Sequence, residues 1–304
     1  MTAGLQGAVS QLPSGPGVYR FRDSRGRVLY IGCTVDLRRR VRSYWGSLGD
    51  RRHLSQMVMR IARVEAVACD SEHEAAWLER NLLECELPYW NRARGGQEVP
   101  VYIHLDPQPG SPGLKVVHSP ALSTGGRLFG PYLGGHKARL AVSALLRVMP
   151  LIYAGEDLSS FGRDMARVRA VGPGDRVAII EAMTAVLARD CAALTAFRGE
   201  LGRRRDSAAL SLAFELAARL QAELEAVDWV VSEQKAALSE PRDFNIHGWA
   251  GGLLVRFEVR AGRLCAWRQR ACAEDTARPQ VAATPAAWTE FAHRNAELAA
   301  RLAQ

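Results

Sequence analysis

Two tyrosines, a run of arginines and one carboxylate set in an apolar helical face are the groups of this chain whose types and spacing could do chemistry. Tyr19 and Tyr30 stand on the arms of a predicted hairpin, and Arg38, Arg39, Arg40 and Arg42 follow within a dozen residues. Phenols transfer protons, and guanidinium forks bind phosphate oxygens in pairs. Glu79 lies further along, among Ala75, Leu78, Leu82 and Leu83. Proton-transfer groups beside phosphate-binding groups make a polyanion the natural substrate.

The elements that must hold these groups are legible in the pattern. Residues 18–21 and 28–31 are β-prone runs separated by Asp23-Ser24-Arg25-Gly26, a turn composition in which Gly takes φ > 0. If Asp23 pairs with Gly26, Tyr19 falls opposite Tyr30; a longer loop leaves the two diagonal, on one face if strand parity is kept. Facing tyrosines are more commonly a packing pair than a catalytic one. Over residues 36–45, Leu37, Val41 and Tyr44 form an apolar stripe, with Arg38, Arg39 and Arg42 on the solvated side. Arg40 falls on the edge of the inward stripe, where a charge needs a partner. Residues 72–87 predict a second amphipathic helix, opened by a Ser71 and Glu74 capping box, with Ala75, Leu78, Leu82 and Cys85 inward and Ala76 and Leu83 widening the face. Glu79 sits inside that arc. A buried carboxylate is costly unless paired or metal-bound, so it is read either as the partner of Arg40 or as a metal ligand.

These residues carry a family resemblance. Gly17-Val18-Tyr19, Tyr30-Ile31-Gly32, Arg40, Tyr44, Glu79 and Asn91 resemble, in order, the motif elements of the GIY-YIG endonucleases. The phrases PGVYRF, GRVLYIG, LRRRVRSY and LERNLL resemble most the N-terminal nuclease domain of the UvrC excinuclease family, over residues 12–95. The resemblance implies phosphodiester hydrolysis with one Mg²⁺ or Mn²⁺ held by Glu79, a hard ion that takes oxygen ligands and keeps several waters. It implies Tyr19 as general base, its phenol pKa lowered by neighbouring cations, and Tyr30 bonded around the nucleophile or phosphate. Arg40 would neutralise the developing charge, Tyr44 would bond near the leaving group, and Asn91 would tie down the end of the helix. One departure stands out: the family usually places Lys directly after Tyr-Ile-Gly, and this chain has Cys33. Asp36 replaces a common Asn and reads as a helix cap.

Charge agrees with a nucleic-acid partner. The 304 residues carry a net +8, and residues 17–63 alone hold twelve Arg against three Asp, a local +9. Arg38, Arg39, Arg42, Arg51 and Arg52 are the expected backbone contacts to double-stranded DNA bearing a lesion or distortion. No apolar run approaches a membrane span and no signal peptide is recognised, so no membrane partner is expected. The six cysteines lack C-x-x-C spacing and read as reduced, mostly buried thiols of a cytoplasmic protein.

The expected fold class is α+β. A small GIY-YIG nuclease domain, a three-stranded antiparallel sheet flanked by helices, occupies 1–95. Linker strands and a Phe-Gly-Pro-Tyr segment with helix 136–148 occupy 96–170, a helical region 171–239, and a β-hairpin turned at Ala261-Gly262 with a helix over 287–302 occupies 240–304. Where UvrC relatives commonly carry a cysteine cluster, residues 152–177 have no Cys, so neither an iron–sulfur cluster nor zinc is expected. Residues 203–224 resemble a degraded UVR helical hairpin, the contact to UvrB in that family, with Phe214, Glu215, Ala217 and Ala218 matching; a plain core or self-association helix reads equally well. The layout resembles the short UvrC homologue Cho and implies a single incision, 3′ to a bulky lesion, in nucleotide excision repair. The alternative is a catalytically weakened DNA-binding or scaffold protein of that pathway.

Overall fold

The computed structural model describes residues 3–46, 54–92, 99–119 and 125–303. The chain forms two compact units, one of residues 1–97 with 233–304 and the other of residues 98–232.

In the first unit, α1 (Ala3–Gln11) precedes β1 (Gly17–Arg22), β2 (Val28–Thr34), α2 (Leu37–Arg42), α3 (Ser55–Val58), β3 (Arg63–Ala68) and α4 (Glu72–Cys85). The antiparallel sheet runs β2-β1-β3, the three-stranded sheet expected. Helix α1 carries no strong periodic signal and was not foreseen. The turn between β1 and β2 is longer than Asp23 to Gly26: the Asp23 N–H donates to the Arg27 carbonyl, and Gly26 has φ +78°. An irregularity after Phe21 then sets Phe21 opposite Tyr30 and Tyr19 opposite Gly32. The two tyrosines are therefore diagonal, on one face.

The strands at both edges of this sheet are closed by asparagines. On β2, Asn91 accepts from the Ile31 N–H at 3.0 Å and donates to its carbonyl at 2.8 Å. Beyond it, Asn295 does the same to Ala68 of β3, at 2.7 and 3.1 Å. Unpaired strand edges invite foreign pairing, and a side-chain amide satisfies the free donor and acceptor together. Asn91 thus holds a strand, and not the helix end expected, because α4 has already stopped at Cys85.

Asn295 belongs to α11 (Thr289–Leu302), which follows β7 (Phe244–Ala250), β8 (Leu253–Arg260), β9 (Arg263–Ala271) and α10 (Glu274–Ala282). The hairpin between β8 and β9 turns at Ala261 and Gly262, both at positive φ (48° and 75°), as the sequence predicts; β7 is an additional strand. Buried Arg20 links this C-terminal sheet to the first one. Its guanidinium pairs with Glu65, lies 3.8 Å from the Trp267 ring centroid and donates to the Trp267 carbonyl.

The second unit has a sheet of β4 (Pro100–Leu105), β5 (Leu114–Val117) and β6 (Arg127–Leu133) in the order β5-β4-β6. It continues through α5 (Gly135–Val148), α6 (Ser160–Val168), α7 (Arg176–Leu187), α8 (Cys191–Leu210) and α9 (Phe214–Val231). The Phe-Gly-Pro-Tyr segment is inside β6. Helices α8 and α9 form a hairpin whose turn passes through Leu212 at φ 58°. Fully buried Glu223 of α9 accepts from Arg147 and Ser143 of α5, which fixes the hairpin on that helix.

Candidate active site

The sheet face toward α2 gathers the phenols. Tyr19 projects from the central strand, Tyr30 from the edge strand, and Tyr44 from the 3₁₀ turn that prolongs α2. The Tyr19 and Tyr44 hydroxyls are 2.8 Å apart, and the Tyr19 ring centroid is 6.3 Å from Tyr30 and 6.0 Å from Tyr44. Phe21, which sequence reasoning passed over, packs edge-on against Tyr44 at 4.9 Å. Arg40 reaches into this cluster: its Nε lies 3.4 Å from the Tyr19 hydroxyl, and its guanidinium is 5.7 Å from the Tyr44 ring centroid. Its inward placement is therefore met by phenols.

Close approach explains the glycines. A Cβ on Gly32 would stand 2.6 Å from the Tyr19 hydroxyl, and one on Gly17 would stand 2.3 Å from the Val67 carbonyl oxygen. Any side chain at Gly32 would push Tyr19 out of its place.

Tyr19 is fully buried. Burial, followed by Tyr44 and Tyr30, pushes its pKa well above that of an ordinary phenol, and Arg40 only partly opposes this. The expectation of a phenol lowered by cations does not hold for Tyr19: desolvation outweighs Arg40, the cation at its hydroxyl. Tyr30 is half-buried and is also raised, by burial, then Tyr44, then the charge of Glu79.

On the opposite sheet face, α4 carries Glu79 against β2. Ser71 caps this helix by accepting from the Glu74 N–H, and Ala75, Leu78, Leu82 and Leu83 are buried as expected. Cys85, the last residue of α4, is exposed instead; Cys191 is exposed too, and only Cys69 and Cys272 are buried. Glu79 makes no ion pair with Arg40 among the described residues. Its carboxylate accepts from the Cys33 N–H at 3.1 Å and from the Cys33 thiol at 3.0 Å. Burial still raises its pKa, against those bonds and the charge of Arg40. The bond to Cys33 was invisible in the sequence, where Cys33 registers only as a missing lysine.

An under-compensated, half-buried carboxylate is a fitting anchor for a divalent cation. No three His, Cys, Asp or Glu side chains among the described residues gather as a metal cluster, so such an ion would complete its shell from water and substrate oxygens. Asn91, through Ile31, fixes the strand between Tyr30 and Cys33. Arg38, Arg39 and Arg42 are exposed on α2, with Arg38 bonded to the Leu12 carbonyl at 2.6 Å and Asp36 capping the helix. Arg51 and Arg52 lie outside the described residues. Phe214, Glu215, Ala217 and Ala218 belong to the other unit, where all but half-buried Ala217 are exposed.

Residues 15–92 match the family described as the UvrC-like GIY-YIG domain. A UvrABC system protein C of Geobacter metallireducens is 36% identical over 144 residues, covering 47% of this chain and 23% of that protein. That of Moorella thermoacetica is 30% identical over 249 residues, covering 79% of this chain and 40% of that protein. The chain thus spans less than half the length of the curated relatives it matches. Among solved structures, the GIY-YIG N-terminal endonuclease domain of UvrC from Thermotoga maritima, bound to magnesium as its catalytic divalent cation, is 28% identical; it covers 30% of this chain and all of its own, with a TM-score of 0.28.

Proposed function

With residues 15–92 belonging to the UvrC-like GIY-YIG family, we propose that the chain is a metal-dependent DNA endonuclease that makes a single incision, 3′ to a bulky lesion, in nucleotide excision repair. The observation that carries this reading is Glu79, a costly half-buried carboxylate without an ion-pair partner among the described residues, placed where its charge reaches Tyr30. Glu79 would hold Mg²⁺ or Mn²⁺, and the ion would supply charge neutralisation at the scissile phosphate and a more acidic bound water.

The chain's own groups divide the remaining work. Tyr30, the more accessible phenol, orients the attacking water and, as the phenolate that a cation bound at Glu79 would favour, takes its proton. Tyr19, bonded to Tyr44 and Arg40 and closed from solvent, positions the cluster. Arg40 answers charge building on the phosphate, and Tyr44 bonds near the leaving oxygen. Asn91 keeps β2 in register. Exposed Arg38, Arg39 and Arg42 track the DNA backbone, together with Arg51 and Arg52.

The partner reading rests on the α8 and α9 hairpin. Leu210, Leu212, Phe214 and Leu216 are exposed around its tip, which offers an apolar contact to a UvrB-type partner. Free thiols suit the reducing cytoplasm. Cleavage of a labelled duplex with one bulky adduct, with and without UvrB loaded on it, tests both levels. A single metal-dependent nick beside the adduct supports the nuclease, and dependence on UvrB supports the partner.

A second reading, an accessory DNA-binding protein, is favoured by one observation: both Glu79 oxygens already accept from Cys33. Intact binding with no nick in any arm would select it.

A further inference from the structure

The C-terminal sheet has one face in the core and one lined by arginines. Ile246, Phe257 and Trp267, cross-strand partners on β7, β8 and β9, are buried, with Phe257 packed on Phe291 of α11. The alternate positions set His247 opposite Arg256 and Arg256 opposite Arg268, and Arg270 follows two residues further along β9. Neighbouring strands lie about 5 Å apart and a two-residue step spans about 7 Å, so three guanidiniums issue from a small area. Ala277 and Val281 of α10 pack on this face at Trp249 and Leu254. Beyond them the Arg268 side chain is 78% exposed, and Arg270 is exposed too.

Like charges directly opposite one another on a sheet repel, and little on the protein answers them. Glu258 is shared among Arg256 at 3.3 Å, Arg260 at 3.5 Å and Arg268 at 4.0 Å. Arg270 has no ion-pair partner among the described residues, and the buried Nε of Arg256 has no hydrogen-bond partner there. Four arginines thus stand against one carboxylate. Half-buried His247 registers their field: burial, then Arg256 and Arg270, hold its pKa below the ordinary imidazole value.

The composition of the face selects its partner. No large hydrophobic residue of β7, β8 or β9 is exposed, whereas a protein interface is built around an apolar centre. A phosphate backbone asks only for cations, and guanidinium forks meet its oxygens in pairs. We propose that this sheet face binds the phosphate backbone of duplex DNA, a second contact besides the arginines of α2, within the same compact unit as the nuclease sheet. Such a contact positions the duplex without reading its sequence. This rests on the reading of the chain as one that acts on DNA.

The test is the salt dependence of duplex binding by the full chain, wild type beside Arg268→Ala with Arg270→Ala. Each lost phosphate contact should lower the steepness of log affinity against log salt by about 0.9, so a fall of about 2 is expected. Arg268→Lys with Arg270→Lys should restore most of it, which a merely structural role would not do. Arg163→Ala with Arg167→Ala, an equal loss of charge at exposed positions of α6, should leave the steepness unchanged. A wild-type slope in the β9 alanine variant overturns the proposal and leaves an acidic protein as the occupant of the face; an equal fall in the α6 variant overturns it as well. Mg²⁺-supported nicking by wild type is followed in parallel. Binding without nicking counts against the nuclease reading alone, and failure of wild type to bind duplex DNA overturns both.

Discussion

Tyr19 and Tyr44 share a 2.8 Å hydrogen bond in an interior that solvent does not reach, while Tyr30, on the neighbouring strand, remains half-buried. The phenols are thereby sorted into two that set the geometry and one that is available to a nucleophile. Tyr30→Phe should lower the cleavage rate by about 10²–10⁴-fold, the usual contribution of a positioned general base. Tyr19→Phe should cost less, about tenfold, because the bonds it loses, to Tyr44 and a long one from Arg40, position the cluster and do not act on the nucleophile. Single-turnover rates of the two variants decide the order, and a greater loss in Tyr19→Phe would return the base to Tyr19.

Glu79 predicts a conflict between stability and activity. Its pKa is raised in the folded protein, so the fold disfavours the ionised form, and stability falls as pH rises from the unfolded carboxylate value through the folded one. Glu79→Gln removes that penalty and should raise the melting temperature of the metal-free protein near neutral pH. The gain should vanish at acid pH, where the wild-type side chain is protonated. Thermal melts across pH check the sign.

Glu65 behaves in the opposite sense. Burial would raise it, but Arg20 and Arg22 outweigh burial and hold it below the ordinary carboxylate range. Its contribution is present above the unfolded carboxylate pKa and is lost as pH falls through the depressed folded value. Glu65→Gln leaves Arg20 buried beside Trp267 without its counter-charge, and should destabilise by about 3–5 kcal/mol at neutral pH. Urea denaturation at neutral and acid pH should show the difference shrinking with acidification.

Asn91→Ala strips both bonds from Ile31 at the edge of the sheet, and should cost about 1–3 kcal/mol. Cleavage should suffer more than global stability suggests, since Ile31 lies between Tyr30 and the strand positions facing Glu79. Asn295→Ala removes the equivalent pair on β3 and should destabilise without that catalytic excess. Comparing the two variants by denaturation and by rate separates edge closure from site geometry.

Much of this was legible in the residues. The inward position of Glu79, the exposed row Arg38, Arg39 and Arg42, and the hairpin turned at Ala261 and Gly262 all follow from local periodicity or turn chemistry. What escaped depends on non-local placement. The sequence left open whether Tyr19 and Tyr30 are opposite or diagonal; one extra turn residue and the irregularity after Phe21 together make them diagonal, which periodicity does not resolve. The bond from Cys33 to Glu79 joins residues on different elements, and no spacing rule reports it. Asn295 lies 227 positions from the strand it closes, and the packing of 233–304 with 1–97 is equally invisible to a linear reading.

The central claim is that Glu79 anchors the ion on which strand cleavage depends. The most direct measurement sets wild type beside Glu79→Gln on a labelled adduct duplex with Mg²⁺, with DNA binding followed in the same samples. Nicking by wild type and none by Glu79→Gln, at equal DNA affinity, is the predicted result; undiminished nicking by Glu79→Gln would contradict it.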